Sequence, residues 1–396
     1  MSALQFEPPD TSRLQTGALA VGVIALVGAA VLGFGNATGF FQSYLMAFLF
    51  CIGLSLGAFI LMVVQNMAGG SWGALISRPL EAATALLPLM AILFVPLIFG
   101  MDKLFIWTNA DYLASHAIVA NKTAYLNVPF FIVRAVIYFA LWTLAALLYR
   151  RLSAKQDENG QDGGKLGYRM KSMSGLWLVV YVMTMTFAGI DWAMSVTPTW
   201  FSGIYSVILM ISQAITAMAF IILVLISLAG RNASIDALLT PKRLQDLGNF
   251  LMAFTMFWAY TQVSQLMIIW SNNIVETADW YVLRLGPEWV GLSAFLLFFG
   301  FFAPFMILFS RWVKRKRRTL AIVAVWAIVV QILNIIWFLV PAFGRTGAQV
   351  TLTDVLMFVG MFLVWLAAYA RMLSSRNVLP VHDPRLLRAT AEHHHA

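Results

Sequence analysis

Charged side chains inside long apolar segments are the residues of this sequence best placed to do chemistry. Arg134 follows the apolar residues 130–133, and Asp191 follows 187–190 near the end of the next apolar segment. A charge at membrane depth costs at least about 2.5 to 3.5 kcal/mol, so each needs a partner. The two segments are consecutive and antiparallel, which brings both charges to a similar depth near the outer face. We expect them to pair, either to fix helix packing alone or as a redox-linked proton site.

Two further carboxylates stand at the opposite, inner face. Glu81 comes three residues after Arg78, where we expect the third helix to begin, and Asp246 stands where we expect the seventh to begin. The helix dipole and free backbone N–H groups favour a carboxylate in the first turn. This ordinary stabilisation is the favoured interpretation of Asp246. For Glu81 a role at the inner end of a proton route stays equally open, because the residues after it are almost all apolar.

A stripe of polar side chains marks the seventh apolar segment. Trp258, Gln262 and Gln265 recur at i, i+4 and i+7, on one helix face that is poorly suited to lipid. Further polar residues accompany them there and at similar depth on the sixth segment: Tyr260, Thr261 and Ser264, and Ser212, Gln213 and Thr216. Hydrogen bonds between helices explain these residues without a further role. The alternative is a path for water or protons.

The elements that must position these residues are membrane-spanning helices. Of the 396 residues, 61% are hydrophobic and only 11% are charged, against about 25% charged in soluble proteins, which excludes a water-soluble fold. A span needs about 20 apolar residues. Ten segments meet this requirement: 17–34, 41–64, 80–99, 128–148, 176–194, 201–228, 249–270, 290–309, 320–340 and 350–370. We therefore predict a single all-α, polytopic membrane domain over 1–396.

Basic residues orient this domain. Most of the 26 Lys and Arg residues fall on one side of the predicted spans, and short basic loops stay cytoplasmic. Both termini are therefore predicted to be cytoplasmic, with a flexible loop over 152–171 and a tail over 372–396 on the same side. The basic run 311–318 suits contact with anionic lipid headgroups. Nucleic-acid binding is disfavoured, because the basic residues are spread over several loops.

Metal and haem ligands are scarce. The sequence has one cysteine, Cys51, and five histidines, three of them in the run 393–395. This is too few for a disulfide framework, an iron–sulfur cluster or a zinc site. His116 lies in a predicted outer loop, and none of the ten segments contains the histidine that a haem b site requires. We expect no redox centre in this chain, so electrons would pass elsewhere.

Several ordered motifs resemble the NrfD-like superfamily of polysulfide-reductase membrane subunits, and most closely the ActF-type subunit of bacterial alternative complex III. The similarity runs from the second span to the C-terminal tail. The main motifs are Ala124-Tyr125-Leu126-Asn127-Val128-Pro129-Phe130-Phe131 followed by Arg134-Ala135, Asp191-Trp192-Ala193-Met194-Ser195 with Pro198, Trp200 and Tyr205, and the tail motif His382-Asp383-Pro384-Arg385.

The resemblance implies a subunit of a quinol:cytochrome c (electron acceptor) oxidoreductase in the bacterial inner membrane, with two four-helix bundles and flanking helices. It implies as partners a paralogous NrfD-like membrane subunit, a periplasmic iron–sulfur subunit and c-type cytochromes, with a terminal oxidase as a further candidate. Haem c and the iron–sulfur clusters would belong to those partners, while quinone or quinol could contact this chain. The candidate proton residues under this resemblance are Asp191, Arg134 and Glu81.

Two other functions compete with this expectation. Ten spans, prolines within spans and a polar stripe also suit an independent secondary transporter or channel. A third interpretation makes the chain a scaffold whose buried charges only hold helices together.

Overall fold

A computed structural model describes residues 8–158, 162–272, 274–345, 347, 349–380 and 382–386. Within these residues every regular element is helical, so the predicted all-α class is confirmed. The ten longest elements, numbered in chain order, are α1 Ser12–Gly33, α2 Ala37–Ala68, α3 Ser71–Thr84 with Leu87–Phe99, α4 Val128–Glu158, α5 Gly163–Trp192, α6 Tyr205–Ala229, α7 Pro241–Asn272, α8 Val290–Phe309, α9 Arg317–Leu339 and α10 Leu352–Leu373. Shorter helices connect them: Met101–Leu104, Ala110–Ser115, Ala117–Ala120, Ala233–Leu238, Val275–Leu285 and Arg311–Arg315.

Nine helices in the described part of the chain are long and apolar enough to cross a membrane, and they correspond to nine of the ten predicted spans. The protein is therefore a multi-pass membrane protein by the length and composition of its helices. The tenth predicted span, 249–270, lies in α7, which has 32 residues. It is long enough to cross, but polar residues such as Gln262 and Gln265 make it less apolar than the other nine.

Prolines interrupt two of the spans. α3 consists of Ser71–Thr84 and Leu87–Phe99, and the break falls just before Pro88. α8 contains seven π-helical residues, Leu296–Phe302, ahead of Pro304. Proline has no N–H to donate to the preceding turn, so the helix breaks or widens there. Trp326 Nε1 of α9 donates to the carbonyl of Phe299 at 2.8 Å, which gives that widened turn a partner.

Glycines allow the two most buried spans, α2 and α6, to touch backbone to backbone. A Cβ atom on Gly57 of α2 would lie 2.1 Å from the carbonyl oxygen of Gln213 on α6. This distance is shorter than any van der Waals contact, so only glycine permits the approach. Small residues at helix contacts are the usual means of close packing in membranes, where lipid gives no hydrophobic driving force.

The start of α1 and the end of α10 lie at the same end of the bundle. Thr11, just before α1, donates through Oγ1 to the carbonyl of Ala370 on α10 at 3.1 Å, and Gln15 Nε2 donates to Ser374 Oγ at 3.0 Å. This arrangement agrees with an even number of crossings between the start of α1 and the end of α10. We call this end, which carries the basic loops, the inner end.

The predicted loop at the inner end needs correction. α4 continues to Glu158 and α5 begins at Gly163, so most of 152–171 is helical rather than a flexible loop. Ser153 and Gln156 are buried there, and Gln156 Nε2 donates to the carbonyl of Gly163 at 3.0 Å. The described tail residues pack onto the bundle, with Arg385 Nη1 donating to Gln65 Oε1 of α2 at 2.6 Å. Residues 387–396, including the histidine run, lie outside the described residues.

Candidate functional site

Arg134 of α4 and Asp191 of α5 form a two-pronged ion pair at the outer end of the bundle. Arg134 donates through Nε to Asp191 Oδ2 at 2.9 Å and through Nη2 to Oδ1 at 2.8 Å. The Tyr138 hydroxyl, one turn further along α4, also donates to Oδ2 at 2.9 Å. Asp191 is fully buried. Charge-assisted, bidentate pairs are among the strongest hydrogen bonds in proteins. This pair offsets the cost of burying the Asp191 carboxylate.

The residues before α4 complete the environment of Arg134. Its Nη1 donates to the backbone carbonyl of Tyr125 at 2.9 Å, and its guanidinium lies 3.8 Å from the ring centre of Tyr125 and 4.3 Å from that of Phe130. Burial raises the pKa of the Tyr125 phenol. The motif residues 124–134 therefore act together, because the aromatic rings and the turn before the helix fix the orientation of the charge.

A cavity of about 280 Å³ adjoins this pair at the outer end. Its walls include Tyr125 and Met194, and Lys122 lies at its side with Nζ donating to the carbonyl of Pro198 at 2.7 Å. Burial lowers the pKa of Lys122. The cavity is lined mainly by apolar and aromatic side chains, with a cation and a phenol beside it. Such a lining suits a small amphipathic group or several water molecules.

A polar cluster lies at mid-depth between α5, α6 and α9. Tyr181 donates its hydroxyl proton to Gln213 Oε1 at 3.0 Å, and Asn334 Nδ2 donates to Ser212 Oγ at 3.2 Å and to Gln331 Oε1 at 3.3 Å. A cavity of about 30 Å³ is lined by Ser212, Gln213 and Gln331 among mostly apolar residues. It has room for about two water molecules.

The inner end carries a second charged cluster, centred on Arg78 of α3. Arg78 Nη1 donates to Glu81 Oε2 at 2.9 Å and to Ser153 Oγ at 2.5 Å, and Nη2 pairs with Asp157. Ser153 donates to the other oxygen of Glu81 at 2.6 Å. Beside Arg78 and Glu81 is a cavity of about 20 Å³, which has room for one water molecule. Glu81 is thus held between two helices but remains close to the inner surface.

Glu81 and Asp246 do not occupy the first turns predicted for them. α3 begins ten residues before Glu81 and α7 five residues before Asp246, so neither carboxylate caps its helix. The reason is that both helices extend past the bilayer at the inner end, where hydropathy no longer marks the helix limit. Glu81 has the partners given above. Asp246 is half-buried, and the structure gives it no hydrogen bond or ion pair with a described residue.

The polar stripe on α7 does not form one continuous site. Tyr260 is 66% exposed on the outside of the bundle, whereas Gln265 is buried and accepts a hydrogen bond from Ser202 Oγ at 3.2 Å. Gln262 and Ser264 are half-buried, and Oε1 of Gln262 is buried without a hydrogen-bond partner among the described residues. Gln213 contacts α5 instead of these residues. The stripe therefore divides between the bundle interior and its surface.

Polar residues on α4 form a longer series than the sequence analysis identified. Below the ion pair, Trp142 Nε1 donates to Thr184 Oγ1 at 2.8 Å, and the Tyr149 and Ser174 hydroxyls share a hydrogen bond of 2.6 Å. Residues 134, 138, 142, 149, 153 and 157 fall on one face of α4, and at 1.5 Å per residue they extend over about 35 Å. We call this set the α4 polar face. The available signal in the sequence was the recurrence of polar residues at spacings of four and seven.

Two outer arginines were also missed. Arg284, which lies outside the ten predicted spans, is fully buried. It donates to the carbonyls of Trp337 and Phe338 at 3.0 and 2.6 Å and so neutralises the C-terminal end of α9. Arg345 Nη1 pairs with the buried Asp354 at 2.9 Å. The contacts of Arg284 join elements more than 50 residues apart in sequence, which spacing alone does not reveal.

Neither the grouping of possible metal ligands nor similarity to known proteins assigns a metal site or a family to this chain. Within the described residues, His, Cys, Asp and Glu side chains form no group of three or more that could hold a metal ion. Neither the known protein-family models nor the curated proteins contain a match to this sequence.

Proposed function

We propose that this chain is an integral membrane subunit of a quinol:electron-acceptor oxidoreductase of the alternative complex III type. In this proposal it holds no redox centre and conducts protons through the bilayer of the bacterial inner membrane. Its partners would be a paralogous membrane subunit, an iron–sulfur subunit and c-type cytochromes, which carry the haem c and the clusters. The motif resemblance supports the family, and the α4 polar face supports the proton role.

The α4 polar face is the observation that carries the proton role. Buried polar groups are costly in a membrane, and a scaffold needs only a few of them. Here they recur from the outer ion pair to the inner charged cluster over about 35 Å, compared with about 30 Å for the hydrocarbon core. Tyrosine and serine hydroxyls both donate and accept hydrogen bonds, as proton transfer requires.

The two charged clusters suit different parts in this route. The oxygens of Asp191 already accept three hydrogen bonds, two of them from Arg134. Asp191 is the counter-charge of the buried Arg134, so we assign the pair a fixed electrostatic role at the outer end. Glu81 is nearer the inner surface and adjoins a water-sized cavity. We therefore assign proton uptake to Glu81.

The transporter alternative receives less support. Secondary transporters bind their substrate near the middle of the membrane, between broken helices. The mid-depth cavity of about 30 Å³ accommodates water but no organic solute.

A Glu81→Gln variant tests the proton role in the intact complex, reconstituted in vesicles with quinol and an oxidised acceptor. Removing the titrating group is expected to slow proton uptake from the inner side at least about a hundredfold. Glu158→Gln, which changes an exposed carboxylate at the same end, is the matched control and should behave like the unmodified protein. Unchanged proton movement in an assembled Glu81→Gln complex would favour the scaffold interpretation. The measurement is the pH change inside and outside the vesicles during turnover.

A further inference from the structure

The connection between α8 and α9 concentrates positive charge at the inner end. Residues 311–318 form the short helix Arg311–Arg315 and the start of α9. Six of these eight residues are basic: Arg311, Lys314, Arg315, Lys316, Arg317 and Arg318. Like charges at this spacing repel one another, so the segment needs partners that supply negative charge.

Three of the six have partners within the protein, and these fix the shape of the segment. Lys314 is buried and its Nζ donates to Asn249 Oδ1 at 2.6 Å, while Arg315 Nε donates to Gln245 Oε1 at 2.7 Å. Both partners are neutral amides on α7. Arg317 forms an ion pair with Asp236. Burial, together with repulsion from Arg311, lowers the pKa of Lys314.

The other three basic residues, Arg311, Lys316 and Arg318, are exposed. Lys316 Nζ lies 3.8 Å from the ring centre of Trp312, which is itself 59% exposed. Aromatic side chains of this kind are typical of the membrane–water boundary. Phe309, the last residue of α8, is 71% exposed. Exposed cations and exposed aromatic rings therefore occur together at the depth of the headgroups.

We propose that Arg311, Lys316, Arg318 and Trp312 bind the phosphate headgroup of an anionic phospholipid in the inner leaflet. The short helix, held by Lys314, Arg315 and Arg317, positions these side chains. Guanidinium and ammonium groups donate to phosphate oxygens, and Trp312 lies at the boundary between headgroup and acyl chain.

The surroundings favour a lipid over a soluble anion or an acidic protein. The site lies directly at the end of α8, the least buried of the nine apolar spans. Acyl chains below the headgroup would contact that apolar surface, which a free phosphate cannot use. Each basic residue near an anionic inner leaflet strengthens the binding constant by a factor of about five. This inference does not depend on the proposed respiratory function.

The test uses the purified full chain in detergent, titrated with phosphatidylglycerol, phosphatidylcholine or inorganic phosphate, with bound lipid measured by native mass spectrometry. The site variant combines R311Q, K316Q and R318Q. The matched control combines K165Q, R169Q and K171Q, which removes three exposed charges from another inner segment. We expect the site variant to bind phosphatidylglycerol about a hundredfold more weakly, and the control to keep its affinity.

Several results would overturn the proposal. They are equal losses in the two variants, unchanged affinity in the site variant, or inorganic phosphate that competes as well as phosphatidylglycerol. A charge-retaining variant, R311K with R318K, guards against misfolding because it should keep most of the binding. If that variant loses binding while its helical content is unchanged, the recognition is not the charge-based one proposed. An acidic protein that displaces phosphatidylglycerol from the unmodified chain would equally reject the lipid as occupant.

Discussion

An Arg134→Gln variant should lose about 3 to 5 kcal/mol of its free energy of unfolding. The substitution removes the only cation that contacts the buried Asp191 carboxylate in the described part of the chain, along with two of its three hydrogen bonds. An unpaired charge in a low-dielectric interior is more costly than a missing contact, because its desolvation is no longer offset. The measurement is equilibrium unfolding in mixed micelles of mild detergent and sodium dodecyl sulfate.

Two controls separate the buried charge from general damage. The double variant Arg134→Gln with Asp191→Asn removes both charges, so it should recover a large part of the lost stability. Lys103→Gln breaks an exposed pair with Asp102 and should cost less than about 1 kcal/mol. A double variant that is less stable than Arg134→Gln alone would contradict the view that the unpaired carboxylate causes the loss.

A Gly57→Ala variant should be destabilised by about 3 kcal/mol or more. The added Cβ would meet the backbone carbonyl of Gln213 at 2.1 Å, and a backbone atom in a buried helix cannot move aside alone. α2 and α6 would have to separate, and a shift of α6 would also disturb the hydrogen bond of Gln213 with Tyr181 of α5. Unfolding in the same mixed micelles provides the measurement.

Gly175→Ala is the matched control for this substitution. Gly175 lies within α5, and a Cβ there would meet no other atom within 4 Å. Alanine has the higher helix propensity, so this variant should be as stable as the unmodified protein or more stable by about 0.5 to 1 kcal/mol. Equal effects at Gly57 and Gly175 would show that the close approach of α2 and α6 is unimportant.

The length of the apolar segments in the sequence predicts most of this fold. Nine spans follow directly from the sequence because lipid requires a long apolar helix for each crossing. α7 is the exception, since only the buried Gln265 faces the bundle interior and the hydropathy of a helix averages its polar and apolar faces together. Hydropathy also does not predict where a helix ends once it extends beyond the bilayer. α3, α4, α5 and α7 all continue past the inner end of the predicted spans, and a helix in water has no composition requirement of that kind.

The candidate site, like the fold, was predicted from the sequence only in part. Arg134 and Asp191 could be paired from sequence, because two opposite charges in consecutive antiparallel helices have few other partners. The inner cluster could not, because Asp157 falls in a segment whose composition predicts a loop. Ser153 and Tyr138 carry no charge and become significant only through their positions on the α4 polar face. The contacts of Arg284 with backbone carbonyls depend on tertiary structure alone.

The proposed function places this chain inside a larger redox complex, without a redox centre of its own. The most direct test is to solubilise the native membrane in mild detergent, purify the chain through an affinity tag, and record its haem c absorption and iron–sulfur electron paramagnetic resonance signals. Our account predicts that both signals co-elute with the chain and disappear when it is dissociated and isolated by itself. A chain that elutes alone from intact membranes, without haem or iron–sulfur signals, would contradict it.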